Sequence, residues 1–148
     1  YSGTVSAAME AVVLGIPGVA ISFAGRRDDL MPGYGPILAK LVKRITSLKE
    51  YPQNTLLNIN LPSIPADEVK GITVARLGSR VFESSVARQK DPWGREVFWI
   101  GGGTITWSGD EDTDHAAVAA GYIAVTPLQL DLTNHKLLET VRGWRLED

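Results

Sequence analysis

The chain has 148 residues, of which 44% are hydrophobic, and its formal net charge is −2. This weak charge does not favour nucleic acid or an anionic membrane as a partner, and no apolar run reaches the roughly 18 residues that a membrane helix needs. Cysteine is absent, which excludes disulfides, thiolate metal sites and cysteine nucleophiles, and predicts a cytoplasmic protein.

The first half of the sequence predicts alternating helices and strands. Apolar residues at helical spacing predict a first helix: Val5, Ala8, Met9, Val12 and Val13. Gly15 can end this helix in a left-handed cap, and the apolar segment 19–23 then suits a buried parallel strand. Residues 24–35 are polar and predicted to be irregular, a second helix begins at Pro36, and a second strand covers residues 55–61. This order predicts an α/β layered fold.

The second half predicts strands and a long hairpin. Residues 72–77 alternate as a strand does, and residues 81–100 suit a hairpin around 91–94, where proline and glycine take the second and fourth turn positions. The hairpin arms are apolar and should be covered, because an isolated two-stranded hairpin is marginally stable in water. The remaining elements are predicted as a helix, a strand and a helix, at residues 113–120, 122–126 and 133–144.

Ser2, Gly3 and Thr4 stand where the first helix begins. Amide protons at a helix start lack intrahelical acceptors and the helix dipole is positive there, so the position suits a phosphate group. An ordinary helix cap explains the same residues, because serine caps helices and glycine eases the turn. The residues by themselves favour the ordinary cap.

Asp110, Asp112 and Asp114 occupy alternating positions just before His115. The spacing is similar to a calcium loop, but the sixth position is histidine and the twelfth is glycine, which excludes an EF-hand. The favoured interpretation is that Asp112 or Thr113 caps the following helix. A metal site, or a general-acid role for His115, is the alternative.

The segment Arg26–Asp29 follows a strand whose carboxyl end should lie at the ligand-binding edge of the sheet. Self-paired surface charges are the favoured interpretation. A contact to substrate, led by Arg26, is the alternative.

Other catalytic classes lack their motifs. There is no Gly-x-Ser-x-Gly nucleophile elbow and no Gly-x-x-x-x-Gly-Lys-Ser/Thr phosphate loop. The four tryptophans are too dispersed to predict a nucleotide-stacking platform, so core or interface anchoring is expected of them.

Two segments carry a resemblance to a known family. The first is Tyr-Ser-Gly-Thr-Val-Ser-Ala-Ala-Met-Glu-Ala at residues 1–11, and the second is residues 112–133, beginning Asp-Thr-Asp-His. Both closely resemble the SurE family, the survival-protein 5′/3′-nucleotidases. Residues 58–62, 70–78 and 98–102 stand in that family's order, so the resemblance covers essentially the whole chain.

The resemblance implies a metal-dependent phosphatase that acts on nucleoside 5′- and 3′-monophosphates, with short polyphosphate as a further substrate. The implied fold is the C-terminal part of a Rossmann-like three-layer α/β sheet with a protruding β-hairpin and a swapped C-terminal helix. Residues 1–70 would belong to the nucleotidase core. Residues 71–148 would add the remaining core strands, the hairpin at about 81–101 and a C-terminal arm, and would join subunits into a dimer or tetramer.

The resemblance also implies Mg²⁺ or Mn²⁺, whose aspartate, serine and asparagine ligands are expected upstream of Tyr1. No metal ligand is then expected in this chain, which should be inactive by itself. The implied phosphate-binding residues are Ser2, Gly3 and Thr4, and the implied substrate or interface loops contain Arg26, Asp112, Asp114 and His115. The alternative is a non-catalytic oligomerisation module that binds an anion.

Overall fold

The computed structural model describes residues 2–25, 27–82, 86–100, 105–108 and 110–146. The α-helices in these residues are α1 (Gly3–Val13), α2 (Gly35–Thr46), α3 (Asp114–Ala119) and α4 (Leu138–Arg142), and 3-10 helices span Asp28–Tyr34 and Ala66–Glu68. The strands are β1 (Gly18–Phe23), β2 (Thr55–Leu61), β3 (Ile72–Val74), β4 (Ser79–Phe82), β5 (Val86–Lys90), β6 (Glu96–Ile100), β7 (Ile105–Ser108) and β8 (Ile123–Gln129). Within this part of the chain, no helix has the length and apolar character that crossing a membrane requires.

Four strands form the central sheet in the order β1-β2-β8-β3. β1 and β2 are parallel, β8 runs antiparallel to β2, and β3 runs parallel to β8. Strands from both halves of the chain therefore share one sheet. This mixed sheet, with two parallel pairs and one antiparallel pair, agrees with the predicted α/β class.

The sheet is covered on both faces. On one face, α1 packs through Ala8 and Val12 against Ala20 of β1 and Leu56 of β2. On the other face, α2 and the 3-10 helix at Asp28–Tyr34 cover a larger cluster whose buried members are Tyr34, Ile45, Ile59, Leu61 and Ile123. The core is thus divided between two layers of side chains, as the alternation of residues along a strand requires.

α3 lies on the same face as α1. Ala117 of α3 packs with Ala75 and Ala124, and Ala124 pairs with Asn60 across β2 and β8. Residues opposite one another in a sheet share a face, and Asn60 shares its face with Leu56 because the strand period is two. The surface between the two helices is therefore lined by residues of β2 and β8.

A tight turn joins α1 to β1. Gly15 has φ of +76°, which confirms the predicted left-handed cap. A Cβ on Gly18 would lie 2.3 Å from the Ala8 carbonyl oxygen. Glycine at this position therefore permits the close approach of the start of β1 to α1. The predicted apolar stripe is correct except at Val13, which is 67% exposed at the end of the helix.

Two predicted elements differ in the structure. Residues 24–35 are not wholly irregular, since a 3-10 helix forms at Asp28–Tyr34, where Tyr34 is fully buried. The last helix is shorter than predicted, because α4 spans only Leu138–Arg142. The Asp131 carboxylate accepts a hydrogen bond from the Thr133 N–H at 2.9 Å, which holds the preceding segment in a turn instead of a helix.

β5 and β6 pair antiparallel around a turn in which the Gly94 N–H donates to the Asp91 carbonyl at 2.9 Å. Phe98 and Trp99 on β6 are 61% and 62% exposed. β4 and β7 form a second antiparallel pair. Residues 83–85 and 101 of the predicted hairpin lie outside the described residues. The role of this hairpin and of a swapped C-terminal helix in oligomerisation stays a prediction.

Candidate functional site

The carboxyl ends of β1 and β2 lie at one edge of the sheet. The two strands are parallel and in register from Gly18 opposite Leu56 to Phe23 opposite Leu61. α1 ends shortly before β1 begins and packs along it, so its first turn is directed toward that same edge. Ligands of α/β proteins bind at this edge.

Ser2 caps α1. Its Oγ accepts a hydrogen bond from the Val5 N–H at 3.3 Å, and its carbonyl accepts the first intrahelical bond from Ser6 at 3.0 Å. The N–H groups of Gly3 and Thr4 precede that bond and have no acceptor within the helix. A Cβ on Gly3 would meet nothing within 4 Å, so this side of the first turn is open. The cap is confirmed, while phosphate binding by Ser2, Gly3 and Thr4 stays a prediction.

Asp114 is a structural acceptor at the start of α3. It is only 8% exposed, and its Oδ1 accepts hydrogen bonds from the N–H groups of Gly78 and His115 at 2.9 and 2.8 Å. Its Oδ2 accepts from Asn60 Nδ2 at 3.3 Å. This carboxylate therefore joins β2, α3 and the chain after β3 near the carboxyl end of β2.

Arg76 holds the loop that leads into α3. Its guanidinium donates to Asp112 Oδ1 and to Asp110 Oδ2, each at 2.7 Å. These carboxylates, Asp112 foremost, raise the pKa of Arg76 above its ordinary value. Thr113, not Asp112, is the helix cap, since its Oγ1 accepts from the N–H of Ala116 at 3.4 Å. The three aspartates thus have protein partners, and their alternating spacing reflects a fixed loop.

His115 lies against Trp107. The two rings are stacked with their centroids 4.3 Å apart and their planes inclined by 6°. Trp107 remains 44% exposed. Together they form one wall of a cleft of about 230 Å³, which is lined by Ala24, Asn60, Trp107, Asp114, His115 and Val118. The predicted site residues Asp114 and His115 therefore meet at one cleft, at the edge toward which α1 is directed.

Arg27 and Asp29 form a bidentate ion pair on the loop after β1, with donor–acceptor distances of 2.9 and 2.7 Å. The hydrogen bond from Arg27 lowers the pKa of Asp29, and the same bond raises that of Arg27. The interpretation of self-paired charges is thus correct for these two residues. Arg26, the predicted substrate contact, lies outside the described residues.

Two buried polar atoms on the face shared by α1 and α3 have no hydrogen-bond partner among the described residues. They are Asn58 Oδ1 and Thr126 Oγ1, and the two residues are opposite one another across β2 and β8. Together with Asn60, this pair makes the face partly polar.

In the described part of the chain, no group of three or more histidine, aspartate or glutamate residues is placed to hold a metal ion. The aspartates of the loop before α3 are bonded to Arg76, to backbone N–H groups and to Asn60. These residues do not fit a divalent cation, and no chemical step is assigned to a metal within this chain.

Sequence reasoning missed three residues of this site. Asn60 lies in a largely apolar strand and was predicted only as part of that strand. An amide side chain in such a strand needs a hydrogen-bond partner, which could have marked it as a site residue. Arg76 forms ion pairs with two aspartates that lie more than thirty positions later in the sequence. A positively charged residue near the end of β3 could have indicated this role. Trp107 reaches His115 only through the β4–β7 pairing and the loop that follows it.

Comparisons with known proteins agree on one family. Residues 1–84 match the model of the family described as survival protein SurE. The 5′-nucleotidase SurE of Gemmatimonas aurantiaca is 53% identical over 147 residues, which cover 97% of this chain and 58% of the relative. The 5′-nucleotidase SurE of Aquifex aeolicus is 40% identical over 142 residues, or 96% of this chain and 56% of the relative.

A solved structure agrees as well. The crystal structure of the SurE protein from Aquifex aeolicus superposes with a TM-score of 0.77 at 38% identity, covering all of this chain and 58% of that one. The chain thus spans a little over half the length of the relatives it matches. With the family model matching more than half of its residues and close relatives matching nearly all of them, the chain belongs to the SurE family.

Proposed function

We propose that this chain is the phosphate-binding and assembly part of a metal-dependent phosphatase that hydrolyses nucleoside 5′-monophosphates. The observation that carries the proposal is the first turn of α1, which is open and directed toward the carboxyl edge of β1 and β2. The names of the relatives, 5′-nucleotidase SurE, support the same substrate class.

The chain's own contribution is to hold and orient the phosphoryl group. The N–H groups of Gly3 and Thr4 and the Thr4 hydroxyl supply donors at the positive end of a helix. Fixed donors at this place stabilise the charge that develops on the phosphoryl oxygens during hydrolysis. Ser2 Oγ already serves the Val5 N–H, so it positions the turn.

The finer features extend this proposal. Mg²⁺ or Mn²⁺ would be held by residues outside this chain and would polarise the phosphoryl group. We also infer activity on 3′-monophosphates and short polyphosphate, a cytoplasmic location, and a dimer or tetramer joined through the β5–β6 hairpin and the C-terminal segment. The exposed apolar side chains of Phe98 and Trp99 support a covering subunit.

The test compares hydrolysis of adenosine and guanosine 5′-monophosphate by this chain and by the chain joined to the remaining length of its relatives, with Mn²⁺ and with a chelator. We expect activity only in the longer protein, lost with chelator and restored by Mn²⁺. Metal-dependent activity in the shorter chain would instead place metal ligands among Asp110, Asp112, Asp114 and His115.

Thr4→Val tests the phosphate contact, because valine keeps the shape of threonine and removes the hydroxyl. One lost hydrogen bond to a charged group is worth about 1.5–3 kcal/mol, so kcat/KM should fall about 10- to 150-fold. Thr46→Val is the matched control, since the Thr46 hydroxyl donates only to backbone oxygens at the end of α2. Equal activity of both variants would contradict the assignment of Thr4.

A non-catalytic module that binds an anion and assembles subunits is the second candidate. It is favoured by the lack of a metal-holding group in the described residues and by the exposed apolar hairpin. Inactivity of the longer protein toward every phosphomonoester, together with retained phosphate binding, would support it.

A further inference from the structure

We propose that the cleft between β2 and α3 receives the nucleobase of the substrate, with His115 and Trp107 as its aromatic wall. This inference rests on the proposed function and assigns a place to the part of the nucleotide that does not react. It starts from the stacked pair, whose ring centroids are 4.3 Å apart.

The position of the cleft suits a nucleotide whose phosphate lies at the start of α1. Ala24 follows β1 and Asn60 is near the end of β2, so the cleft opens at the carboxyl edge of the parallel pair. α1 and α3 share one face of the sheet, and the first turn of α1 is directed toward this edge. A ligand that spans from the α1 start to α3 would therefore cross a single face.

The volume of the cleft indicates which part of the substrate it can hold. Its volume is about 230 Å³, whereas pockets for whole drug-sized ligands are about 300–1,000 Å³. The cleft is thus suited to a single ring system, and the sugar and phosphate would extend out of it.

The charge of the described lining disfavours the phosphate itself. Among the described residues that line the cleft, Asp114 is the one acidic side chain, and none is a lysine or an arginine. A carboxylate in the wall disfavours a second anion by like-charge repulsion. A neutral aromatic base meets no such penalty, and it gains stacking on an outer face of the His115–Trp107 pair, whose inner faces are already in contact.

Asn60 supplies the polar contact. One proton of its amide goes to Asp114 Oδ2 at 3.3 Å. The side chain has a second amide proton and a carbonyl oxygen, and it lines the cleft. A donor and an acceptor on one amide match the paired acceptor and donor along the edge of a nucleobase. Because Asp114 anchors Asn60 and is itself held by two backbone N–H groups, the amide is fixed before the base arrives.

The experiment measures selectivity in the longer protein. The ratio of kcat/KM for adenosine 5′-monophosphate to kcat/KM for ribose 5-phosphate reports the contribution of the base. His115→Ala should lower this ratio about 5- to 150-fold, the range expected for loss of one base–aromatic stack. His135→Ala is the matched control, since His135 lies outside the cleft and interacts with Asp131, and it should leave the ratio unchanged.

His115→Phe guards against a folding defect, because it keeps an aromatic ring beside Trp107 and should retain most of the selectivity. An equal loss of both substrates in His115→Ala, with the ratio unchanged, would overturn the proposal, as would a ratio near one in the unaltered protein.

Direct binding separates this proposal from the proposed function. Adenosine, which carries no phosphate, should bind the longer protein in equilibrium dialysis and bind His115→Ala more weakly by the same factor. If the protein hydrolyses no nucleotide but binds adenosine in this way, the phosphatase assignment fails and the base site stands. If it hydrolyses nucleotides and His115→Ala leaves adenosine binding unchanged, the base site is wrong.

Discussion

Removal of one hydroxyl by Tyr34→Phe should destabilise the protein without changing the packing of the ring. Tyr34 is fully buried, and its hydroxyl proton is shared between the carbonyl oxygens of Pro62 and Ile64 at 2.8 and 3.0 Å. The ring meets Phe23 edge-to-face at 5.9 Å, a contact that phenylalanine preserves. The hydroxyl thus fastens the loop after β1 to the chain that follows β2.

The size of the effect follows from the groups left behind. The buried carbonyl oxygen of Pro62 and the half-buried one of Ile64 lose their shared donor, and an unsatisfied buried polar group costs about 1–3 kcal/mol. A domain of this size loses about 2–4 °C in melting temperature for each kcal/mol. The melting temperature at pH 7 should therefore fall by about 2–12 °C.

The assay is thermal unfolding followed by circular dichroism, with Tyr51→Phe as the matched control. The Tyr51 hydroxyl donates to one carbonyl oxygen, that of Gly18, at 3.1 Å, and the side chain is half-buried. Its removal should cost less, about 0.5–1.5 kcal/mol. An unchanged melting temperature in Tyr34→Phe, or a larger loss in Tyr51→Phe, would refute the reasoning.

The same variant has a pH signature. Burial raises the pKa of Tyr34 above its ordinary value of 10.0, so the unfolded chain releases this proton first as the pH rises. The stability that the neutral hydroxyl contributes is complete below pH 10 and is lost above it as the pH approaches the raised pKa. Tyr34→Phe should flatten this alkaline loss, whereas an identical slope above pH 10 in both proteins would contradict it.

Three further predictions concern single positions of the fold. Gly18→Ala places a methyl group 2.3 Å from a backbone oxygen of α1 and should cost about 1–3 kcal/mol or more. Gly35→Ala is its control, since a Cβ there meets nothing within 4 Å, and it should be neutral or stabilising by about 0.4–1 kcal/mol. Thr113→Val removes the cap of α3 and should cost about 0.5–2 kcal/mol. Thr126→Val removes a buried hydroxyl that has no partner among the described residues and should be neutral or stabilising. Hydrogen bonds from the Thr133 side chain, from the His135 ring and from the Thr133 backbone lower the pKa of Asp131, so Asp131→Asn should lower the melting temperature above about pH 4.

These predictions are checked by denaturant and thermal unfolding of each variant beside the unaltered protein. Equal stability of the two glycine variants would contradict the close approach of α1 and β1. A loss in Thr126→Val as large as that in Thr113→Val would mean that the Thr126 hydroxyl has a partner. A carboxylate whose pKa is lowered by folding contributes stability that disappears as the pH falls. A difference in melting temperature between Asp131→Asn and the unaltered protein that grew below pH 3 would therefore contradict the prediction.

The local sequence pattern was sufficient to predict the elements that are stabilised by contacts between residues close in sequence. α1 is predicted by its apolar spacing, its serine cap and Gly15, and β2 is predicted at residues 55–61, where it is found. The turn at 91–94 follows from the placement of proline and glycine. In each case the deciding interactions join residues a few positions apart, so they are written in the local sequence.

Elements that depend on distant contacts were predicted poorly. The 3-10 helix at Asp28–Tyr34 contains a buried Tyr34 hydroxyl whose acceptors lie 28 and 30 positions later. The last helix was predicted too long, because its apolar spacing was read without the turn that Asp131 forms with Thr133. Apolar spacing alone does not reveal whether a face is buried, and Trp144 there is 58% exposed.

The sequence by itself determined the family, the α/β class and the placement of Ser2, Gly3 and Thr4 at a helix start. Only the tertiary structure decided which polar residues meet. In the folded chain Asn60 donates a hydrogen bond to Asp114, Arg76 donates one to Asp112, and Trp107 stacks on His115. The physical reason is that a helix cap is made by residues within one turn, whereas a cleft is made where strands and helices distant in sequence pack at one edge of a sheet.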